Sequence, residues 1–312
     1  MASKRKLTKY NPCWCGSGQF YRDCHMDIDK ASKNDRLKVA HEKYAGEWGV
    51  SSSHLADQGC YEWSAAQLDA YCPKRILDIG CGTGEGLMAL IRRFPEASII
   101  SLEENLTCME SAKKLLNDNQ IECEIIPRYD FIPTGKERYE IKVKSSLLLK
   151  SDLARVTIVE GDVLLDDQEL RGWLINLPSI DAITVWLMGT HLLRKYCKNV
   201  SNLHLSSSGQ YRLAVQNGIY ELADQILKPG GLLQIIDRGE PLASDYLLHD
   251  CIDAHKDQAS VTSLQVQTPT YRLYSESARS DSKHMETTLG TSGENRELTE
   301  LAIISVTSIK PE

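Results

Sequence analysis

The chain has 312 residues, of which 42% are hydrophobic and 25% are charged, a balance that excludes wholesale disorder. Its longest uncharged stretches fall well short of the ~20 apolar residues that span a bilayer, so we expect no membrane segment. The net charge of −7 argues against nucleic acid as the main ligand, although residues 1–44 hold ten Lys or Arg against five Asp or Glu. Two interpretations of this basic N-terminal segment stay open: its charges are simply exposed to solvent, or they contact an anionic partner such as RNA.

The chain has ten cysteines, and their spacing indicates whether the protein works in a reducing or an oxidising compartment. Seven of them are scattered singly, a distribution that does not predict a disulfide framework. A chain of this length has enough core to fold without disulfides, so we expect these thiols to be reduced and mostly buried. No apolar segment follows the basic first ten residues, so no secretory leader is predicted. We therefore expect a cytoplasmic protein.

Four metal-ligating side chains lie close together near the start of the chain. Cys13 and Cys15 flank one residue, a Gly-Ser-Gly turn follows, and Cys24 and His25 return after eight residues. Three thiolates and one imidazole make a closed tetrahedral shell, which indicates a structural Zn²⁺ site rather than a catalytic one. An unmetallated or redox-active cluster is the alternative. So short a head cannot build a hydrophobic core, and metal binding would supply its folding free energy.

The same segment resembles the SEC-C motif, C-x-C-G-S-G-x-x-Y/F-x-x-C-H, with Tyr21 at the aromatic position and the likeness covering about residues 10–26. This resemblance implies zinc, a bacterial cytoplasmic setting, and contact with a protein or the ribosome through the head. Residues 27–44 have apolar side chains at helical spacing and predict a connecting helix. We place a domain boundary after this helix, with a head over residues 1–44 and a second domain over 45–312. We expect the head to be separable from the second domain's binding site.

A strand, a glycine-rich turn and a helix follow one another between residues 75 and 94. Ile76 to Ile79 is apolar, and Leu87 to Phe94 has helical periodicity. This order is the entry to a doubly wound sheet, in which ligands lie at the carboxyl ends of strands. A dinucleotide fingerprint would need a glycine at Glu85 or Leu87, and no Gly-Lys-Ser/Thr of a P-loop follows. The turn therefore predicts a ligand without phosphates.

The run Leu-Asp-Ile-Gly-Cys-Gly-Thr-Gly that ends at Gly84 resembles the first motif of class I S-adenosylmethionine-dependent methyltransferases. The resemblance extends from about residue 45 to the end. It implies an α/β fold, with a Rossmann-like, mostly parallel sheet and a C-terminal antiparallel hairpin, and S-adenosyl-L-methionine as cofactor. In that family the turn, here Gly80, Cys81, Gly82 and Gly84, admits the cofactor's methionine portion. Asp78 holds the turn and the ammonium end.

The next two strands supply further cofactor residues by the same resemblance. The strand from residue 97 to 102 ends at Glu103 and Glu104, and a carboxylate there can accept hydrogen bonds from both ribose hydroxyls. The family spacing to Ala112 selects Glu103, although a register slip to Glu104 stays open. The strand that begins at residue 156 ends in Gly-Asp. Asp162 would meet the adenine amino group, and the amide of Val163 a ring nitrogen.

The fourth strand, residues 180–185, is followed by two candidates with open roles. Trp186 would face the cofactor's sulfonium as a cation–π wall, or it would lie in the core. His191 would be the catalytic base, or it would be structural. A base is required only if the acceptor nucleophile is protonated.

The C-terminal part completes the predicted sheet. A helix over residues 219–227, a Lys-Pro-Gly-Gly turn and a strand over residues 232–236 come first. Segments 261–273 and 301–309 predict the closing hairpin, and the polar residues between 275 and 297 predict a mobile loop.

Two features depart from the methyltransferase pattern. An insertion over about residues 120–153 contains strand-like segments at Glu124 to Ile126 and at Arg138 to Val143, which predict an extra hairpin. This hairpin would shape substrate access or would be decorative. No Asn-Pro-Pro-Tyr/Phe follows the fourth strand, which weakens the case for methylation of adenine N6 or of glutamine.

The sequence therefore predicts an S-adenosylmethionine-dependent methyltransferase that acts on an unidentified protein or small-molecule acceptor. The alternative is a non-catalytic S-adenosylmethionine-binding protein that its zinc head recruits to a partner. A second alternative is aminopropyl transfer on the same fold. Methyl transfer to any trial acceptor would separate the first two.

Overall fold

The computed structural model describes residues 7–13, 19–135, 138–144, 153–191, 193–205, 207–276, 286–289, 294–297 and 300–312. The helices are α1 Met26–Lys30, α2 Arg36–Asp57, α3 Cys60–Ala66, α4 Glu85–Arg93, α5 Leu106–Asp118, α6 Gln168–Asn176, α7 Ser208–Ile226 and α8 Asp245–Ala259. The strands are β1 Arg75–Ile79, β2 Ser98–Glu103, β3 Glu124–Ile126, β4 Tyr129–Pro133, β5 Tyr139–Val143, β6 Val156–Glu160, β7 Ile180–Trp186, β8 Leu227–Gly239, β9 Gln265–Val266, β10 Thr270–Tyr274, β11 Glu286–Leu289, β12 Glu294–Glu297 and β13 Leu301–Ile309.

Nine strands form one mixed sheet in the order β10-β13-β8-β7-β1-β2-β6-β3, with β9 also paired to β13. The six strands from β8 to β3 run parallel. Helices connect β1 to β2, β2 to β3, β6 to β7 and β7 to β8, and each returns the chain to the same edge. β13 is antiparallel to β8 and to β10. The Rossmann-like sheet with a C-terminal antiparallel hairpin, predicted from the sequence, is thus confirmed.

Apolar side chains cover the sheet on both faces. One core cluster takes residues from α3, α4 and α5, and the other takes residues from α6 and α7. The inner strands are buried along almost their whole length, and β6 is buried at every position. Such continuous burial is expected for parallel strands with helices on both faces. It leaves the carboxyl ends of the strands as the open edge at which a ligand can bind.

The insertion folds differently from the predicted hairpin. β3 does not pair with β5 but extends the main sheet, parallel to β6, with Ile126 buried opposite Val159. The hairpin is made by β4 and β5, which pair over residues 129–143 as a separate two-stranded sheet. β3 pairs with β6 rather than with β5 because its isoleucines are covered by apolar side chains at the edge of the main sheet. The segment predicted as a loop between residues 275 and 297 also contains two paired strands, β11 and β12.

The predicted connecting helix is two helices, and the second one crosses the predicted boundary. α2 runs for 22 residues, about 33 Å, from Arg36 to Asp57. The ammonium of Lys43 donates to the carbonyl of Asp23, which ties this helix to the head. Further along, the Ser52 hydroxyl donates to Glu85 at the start of α4 (2.7 Å). The head and the sheet therefore share one continuous helix.

A third apolar cluster joins the head to the insertion. We call it the head–hairpin cluster; it contains Ile28, Leu37, Ala40, Tyr129, Tyr139, Ile141, Leu193, Cys197, Val200 and Tyr211. These residues come from α1, α2, the β4–β5 hairpin, the segment after β7, and α7. The hairpin is thus packed between the head and the segment that follows β7. None of the helices in the described part of the chain has the length and apolar character needed to cross a bilayer.

Candidate functional site

The glycine-rich turn connects β1 to α4 with backbone angles that favour glycine. Gly82 has a φ of +52° and Gly84 a φ of +103°. A Cβ on Gly84 would lie 2.9 Å from the Cα of Ala112, so glycine is needed there for α5 to pack closely. A Cβ on Gly82 would lie 2.3 Å from Nε1 of Trp48, so a side chain of α2 already rests against the turn. The turn is thus a bare backbone surface that faces α2.

Asp78 lies beneath the turn and ties three strands together. Its carboxylate accepts hydrogen bonds from the hydroxyls of Ser101 on β2 (2.9 Å) and Thr184 on β7 (2.8 Å). Burial raises the pKa of Asp78 to about 6, and these hydroxyls oppose that rise. Asp78 therefore holds the ends of β1, β2 and β7 together beneath the turn. Cys81 is likewise buried.

Glu103, at the end of β2, contacts the turn directly. One carboxylate oxygen accepts the N–H of Gly82 (3.0 Å), and the other accepts the N–H of Asn105 (3.0 Å). Burial raises the pKa of Glu103 to about 8, although both amide donors favour the ionised form. The structure thus brings the predicted ribose carboxylate and the predicted glycine turn into hydrogen-bond contact.

Glu104, the next residue, has a different partner. The buried guanidinium of Arg194 forms ion pairs with both Glu104 and Asp162. Burial would raise the pKa of Glu104, but Arg194 and His191 hold it well below its ordinary value. Asp162 also accepts the N–H of Leu164 (2.8 Å). A cation that the sequence did not indicate therefore bridges the ends of β2 and β6.

The two residues with open roles lie at the carboxyl end of β7 and in the segment that follows it. Trp186 is buried in the core and donates its indole N–H to Gln234 (2.9 Å), a placement that favours the core alternative. His191 is also buried, with its ring centroid 4.6 Å from that of His41 and its Nε2 3.7 Å from a Glu104 oxygen. Neither side chain lines the main cavity among the described residues. Their cofactor and catalytic roles stay predictions.

The main cavity opens at the carboxyl ends of β1, β2, β6 and β7 and encloses about 700 Å³, part of it open to solvent. Its lining includes five predicted cofactor residues: Gly80, Gly82, Glu103, Asp162 and Val163. It also includes residues that sequence reasoning missed: Tyr44, Trp48, Met188, Arg194, Tyr211 and Arg212. Tyr44 and Trp48 are four residues apart, a spacing that places both on one face of α2, but the predicted helix ended at residue 44 and did not include Trp48.

The head brings three of the four predicted metal ligands together. The Sγ atoms of Cys13 and Cys24 each lie 3.2 Å from Nδ1 of His25, and all three side chains are buried. Thiolates and a neutral imidazole are the donors that a structural Zn²⁺ prefers, so this donor set fits the ion. Cys15 lies outside the described residues. The three side chains form a candidate metal site.

Comparisons with known families agree with both motifs. Residues 45–143 match the family model of the methyltransferase small domain, and residues 11–27 match that of the SEC-C motif. The resemblances to S-adenosylmethionine-dependent methyltransferases and to the SEC-C motif are thus confirmed.

Three curated relatives show the extent of the similarity. Trans-aconitate 2-methyltransferase of Pseudomonas paraeruginosa is 40% identical over 48 residues, which are 15% of this chain and 18% of the relative. Ribosomal RNA small subunit methyltransferase C of Buchnera aphidicola subsp. Baizongia pistaciae is 26% identical over 128 residues, 39% of each chain. The protein of the same name from Haemophilus influenzae is 32% identical over 77 residues, 25% of this chain and 23% of its own. The chain thus spans between 18% and 39% of the length of these relatives.

Among solved structures, precorrin-6y C5,15-methyltransferase from Geobacter metallireducens GS-15 aligns with 79% of this chain and 87% of its own. The alignment has 13% identity and a TM-score of 0.39. The fold assignment therefore rests on the strand order described above.

Proposed function

We propose that this chain binds S-adenosylmethionine and transfers its methyl group to an acceptor. The observation that carries the proposal is the hydrogen bond from the Gly82 amide to the Glu103 carboxylate. It sets a buried carboxylate beside a glycine-rich turn, in one cavity at the carboxyl ends of four parallel strands. The match of residues 45–143 to the methyltransferase small domain supports the same conclusion.

The residues of the cavity fit this cofactor. Glu103 would accept the ribose hydroxyls, and the turn at Gly80 and Gly82 would receive the methionine portion. Asp162 and the amide of Val163 would face the adenine. Glu103 contacts the glycine turn, whereas Glu104 is turned toward Arg194, and this difference supports Glu103 as the ribose ligand. When bound, the cofactor supplies a methyl group on a positively charged sulfur.

The chain's own contribution is alignment and exclusion of water. Tyr44 and Trp48 of α2 cover one side of the cavity, and Met188 lies 3.1 Å from the position of a Cβ on Gly80. A dry, aligned site supplies much of the rate of a methyl transfer. A base is needed only for a protonated acceptor. His191 stays a candidate for that role, but its burial against His41 supports a structural role better.

We also propose that Cys13, Cys15, Cys24 and His25 hold a structural zinc ion and that the protein works in the cytoplasm. The metal would fix a surface for a partner protein or the ribosome. The exposed rings of Tyr10 and Phe20 support such a surface, since the guanidinium of Arg22 lies 5.1 Å and 5.8 Å from their centroids. Exposed aromatic rings next to cations are common at interfaces. The acceptor remains to be identified; the relatives are named for trans-aconitate and for ribosomal RNA.

Calorimetry tests the binding half of the proposal. S-adenosylmethionine and its demethylated product should bind, and NAD should bind more weakly, because the turn lacks the glycine spacing that holds a pyrophosphate. Equal or tighter binding of NAD would contradict the proposal.

Radiolabelled methyl transfer tests the catalytic half. Purified protein is added to a lysate that lacks it, and label is sought in protein, RNA and small molecules. Cofactor binding without label in any fraction would favour the non-catalytic alternative.

A further inference from the structure

A second groove lies between the start of α2 and the β4–β5 hairpin. About 400 Å³ of space lies between its walls and is partly open to solvent, so it is a surface groove rather than an enclosed pocket. Its lining is Lys33, Asn34, Arg36, Leu37, Phe131, Pro133, Gly135, Arg138, Tyr139 and Leu193. Three of these side chains are cations and none is acidic, on a chain whose net charge is −7. We call it the basic groove.

The acidic residues of the hairpin strands do not neutralise the basic groove. Asp130 pairs with Lys144 at 2.8 Å, and Glu140 pairs with Lys198 at 3.0 Å. Asp35, at the start of α2, accepts the Ser32 hydroxyl at 2.6 Å. Asp35 keeps its charge beside Arg36 in the chain, so the excess positive charge of the lining comes from Lys33 and Arg138.

The basic groove also contains an aromatic ring. Phe131 is half-buried, and its contacts with His41, Tyr129 and Tyr139 are edge-type, at centroid distances of 5.6, 6.3 and 6.1 Å. These neighbours hold the ring in one orientation. A fixed aromatic ring beside several cations is the combination that binds a planar base next to a phosphate.

The basic groove and the main cavity share two walls. Leu193 lines the groove, and its neighbour Arg194 lines the cavity. On α2, Leu37 lines the groove and Tyr44 lines the cavity, seven residues or about 10 Å further along the helix. A ligand in the groove would thus lie beside the cofactor.

We propose that the basic groove binds a nucleotide unit, a phosphate next to a planar base, of the molecule that receives the methyl group. This inference rests on the proposed methyl transfer. Lys33 and Arg138 contact the phosphate, and Phe131 stacks on the base. The acceptor is then a free nucleotide or RNA, and the hairpin is a substrate-binding insertion rather than a decoration. The acidic remainder of the chain is no obstacle, because none of the described residues that line the groove carries a carboxylate.

Binding of AMP and of a labelled single-stranded RNA of about twelve nucleotides tests the inference. The test variants are the double variant Lys33→Gln/Arg138→Gln, which removes two of the lining cations, and Phe131→Leu, which keeps apolar volume but removes the ring. The control is Lys142→Gln, an exposed charge on β5 outside the groove lining. S-adenosylmethionine binding is measured on every preparation as the check of folding.

We expect the double variant to weaken binding at least tenfold and Phe131→Leu to weaken it about threefold, with Lys142→Gln unchanged. For RNA, the double variant should also lower the slope of log affinity against log salt by about 0.7, because both cations contact one phosphate. Tighter binding of RNA than of AMP identifies RNA as the source of the nucleotide, and equal or weaker binding identifies a free nucleotide.

Wild-type protein that binds S-adenosylmethionine but neither AMP nor RNA would overturn the inference. So would a double variant that binds them as wild type does. Failure of the proposed function has a different result, because S-adenosylmethionine would then not bind while the groove variants still altered nucleotide affinity.

Discussion

The glycine turn and the head–hairpin cluster differ in how far apart their parts lie in the sequence. The turn spans residues 80–84, and its carboxylate partner Glu103 follows on the next strand. The head–hairpin cluster gathers residues from position 28 to position 211. Both border the ligand-binding region, since Tyr211 also lines the main cavity. The ligand-binding region therefore has two parts. We call the glycine turn with Glu103 the local half, because its residues are close in the sequence, and the head–hairpin cluster the long-range half, because packing brings its residues together from distant positions.

Arg194 lies between the two halves, since it lines the main cavity and directly follows Leu193 of the head–hairpin cluster. Its substitution should have the largest effect on the free energy of unfolding. Arg194→Leu would leave Glu104 and Asp162 as buried carboxylates without their cation. Removal of one partner from a buried ion pair costs about 3–5 kcal/mol of the free energy of unfolding. Urea denaturation measures this. The exposed pair Lys198–Glu140 is the control, and Lys198→Ala should cost less than about 1 kcal/mol. Equal losses of unfolding free energy in the two variants would show that the ion pairs of Arg194 do not stabilise the contact between the two halves.

Glu103 tests the local half. At a pH above about 8, where Glu103 is ionised, Glu103→Ala should weaken S-adenosylmethionine binding by about 1.5–3 kcal/mol, the range for hydrogen bonds to a charged group. Glu104→Gln tests the other register in the same titration, and its free energy of unfolding is measured as well because this variant weakens the buried pair with Arg194. If Glu104→Gln weakens binding and Glu103→Ala does not, the ribose carboxylate is Glu104.

The raised pKa of Glu103 gives a pH dependence. The folded-state pKa of about 8 exceeds the ordinary value of 4.5, so the folded state holds a proton that the unfolded state has released. The free energy of unfolding should therefore fall as pH rises from about 4.5 to 8, by at most about 1.4 kcal/mol per pH unit. Asp78, with a pKa of about 6, contributes mainly below pH 6. Glu103→Gln should flatten the decline between pH 6 and 8, as measured by denaturation across that window. An unchanged slope would show that Glu103 is ionised throughout.

Metal removal tests whether the halves are coupled. The sequence predicted a separable head, so that Cys24→Ser would lose zinc and keep near-normal affinity for S-adenosylmethionine. In the structure, α2 continues from the head to Tyr44 and Trp48 in the main cavity, which gives a route for coupling between the two. We expect Cys24→Ser to lose one zinc per chain and to weaken cofactor binding about tenfold, measured by metal analysis and calorimetry on the same sample. The control is Cys72→Ser, at an exposed thiol. Zinc loss with unchanged affinity would restore the separable head.

Much of the local half could be predicted from the sequence. The glycines were recognisable because positive φ angles and close helix packing admit almost no other residue. Glu103 was recognisable because a strand end fixes where a carboxylate lies. The ligands of the head were recognisable because a metal shell needs particular donors at short spacing. Each of these features depends on residues near one another in the chain, or on strands whose order the fold class fixes.

The other half was decided only by tertiary structure. Nothing in the segment around Arg194 indicated that it would reach Glu104, 90 residues earlier, and Asp162. Pairing of β3 with β6, rather than with β5, followed from the burial available at the sheet edge. The side chain of Trp186 entered the core because Gln234 accepts its N–H there. Sequence spacing determines which groups a turn, a strand end or a metal shell presents, whereas the partners of long-range contacts depend on which apolar surfaces must be covered at the same time.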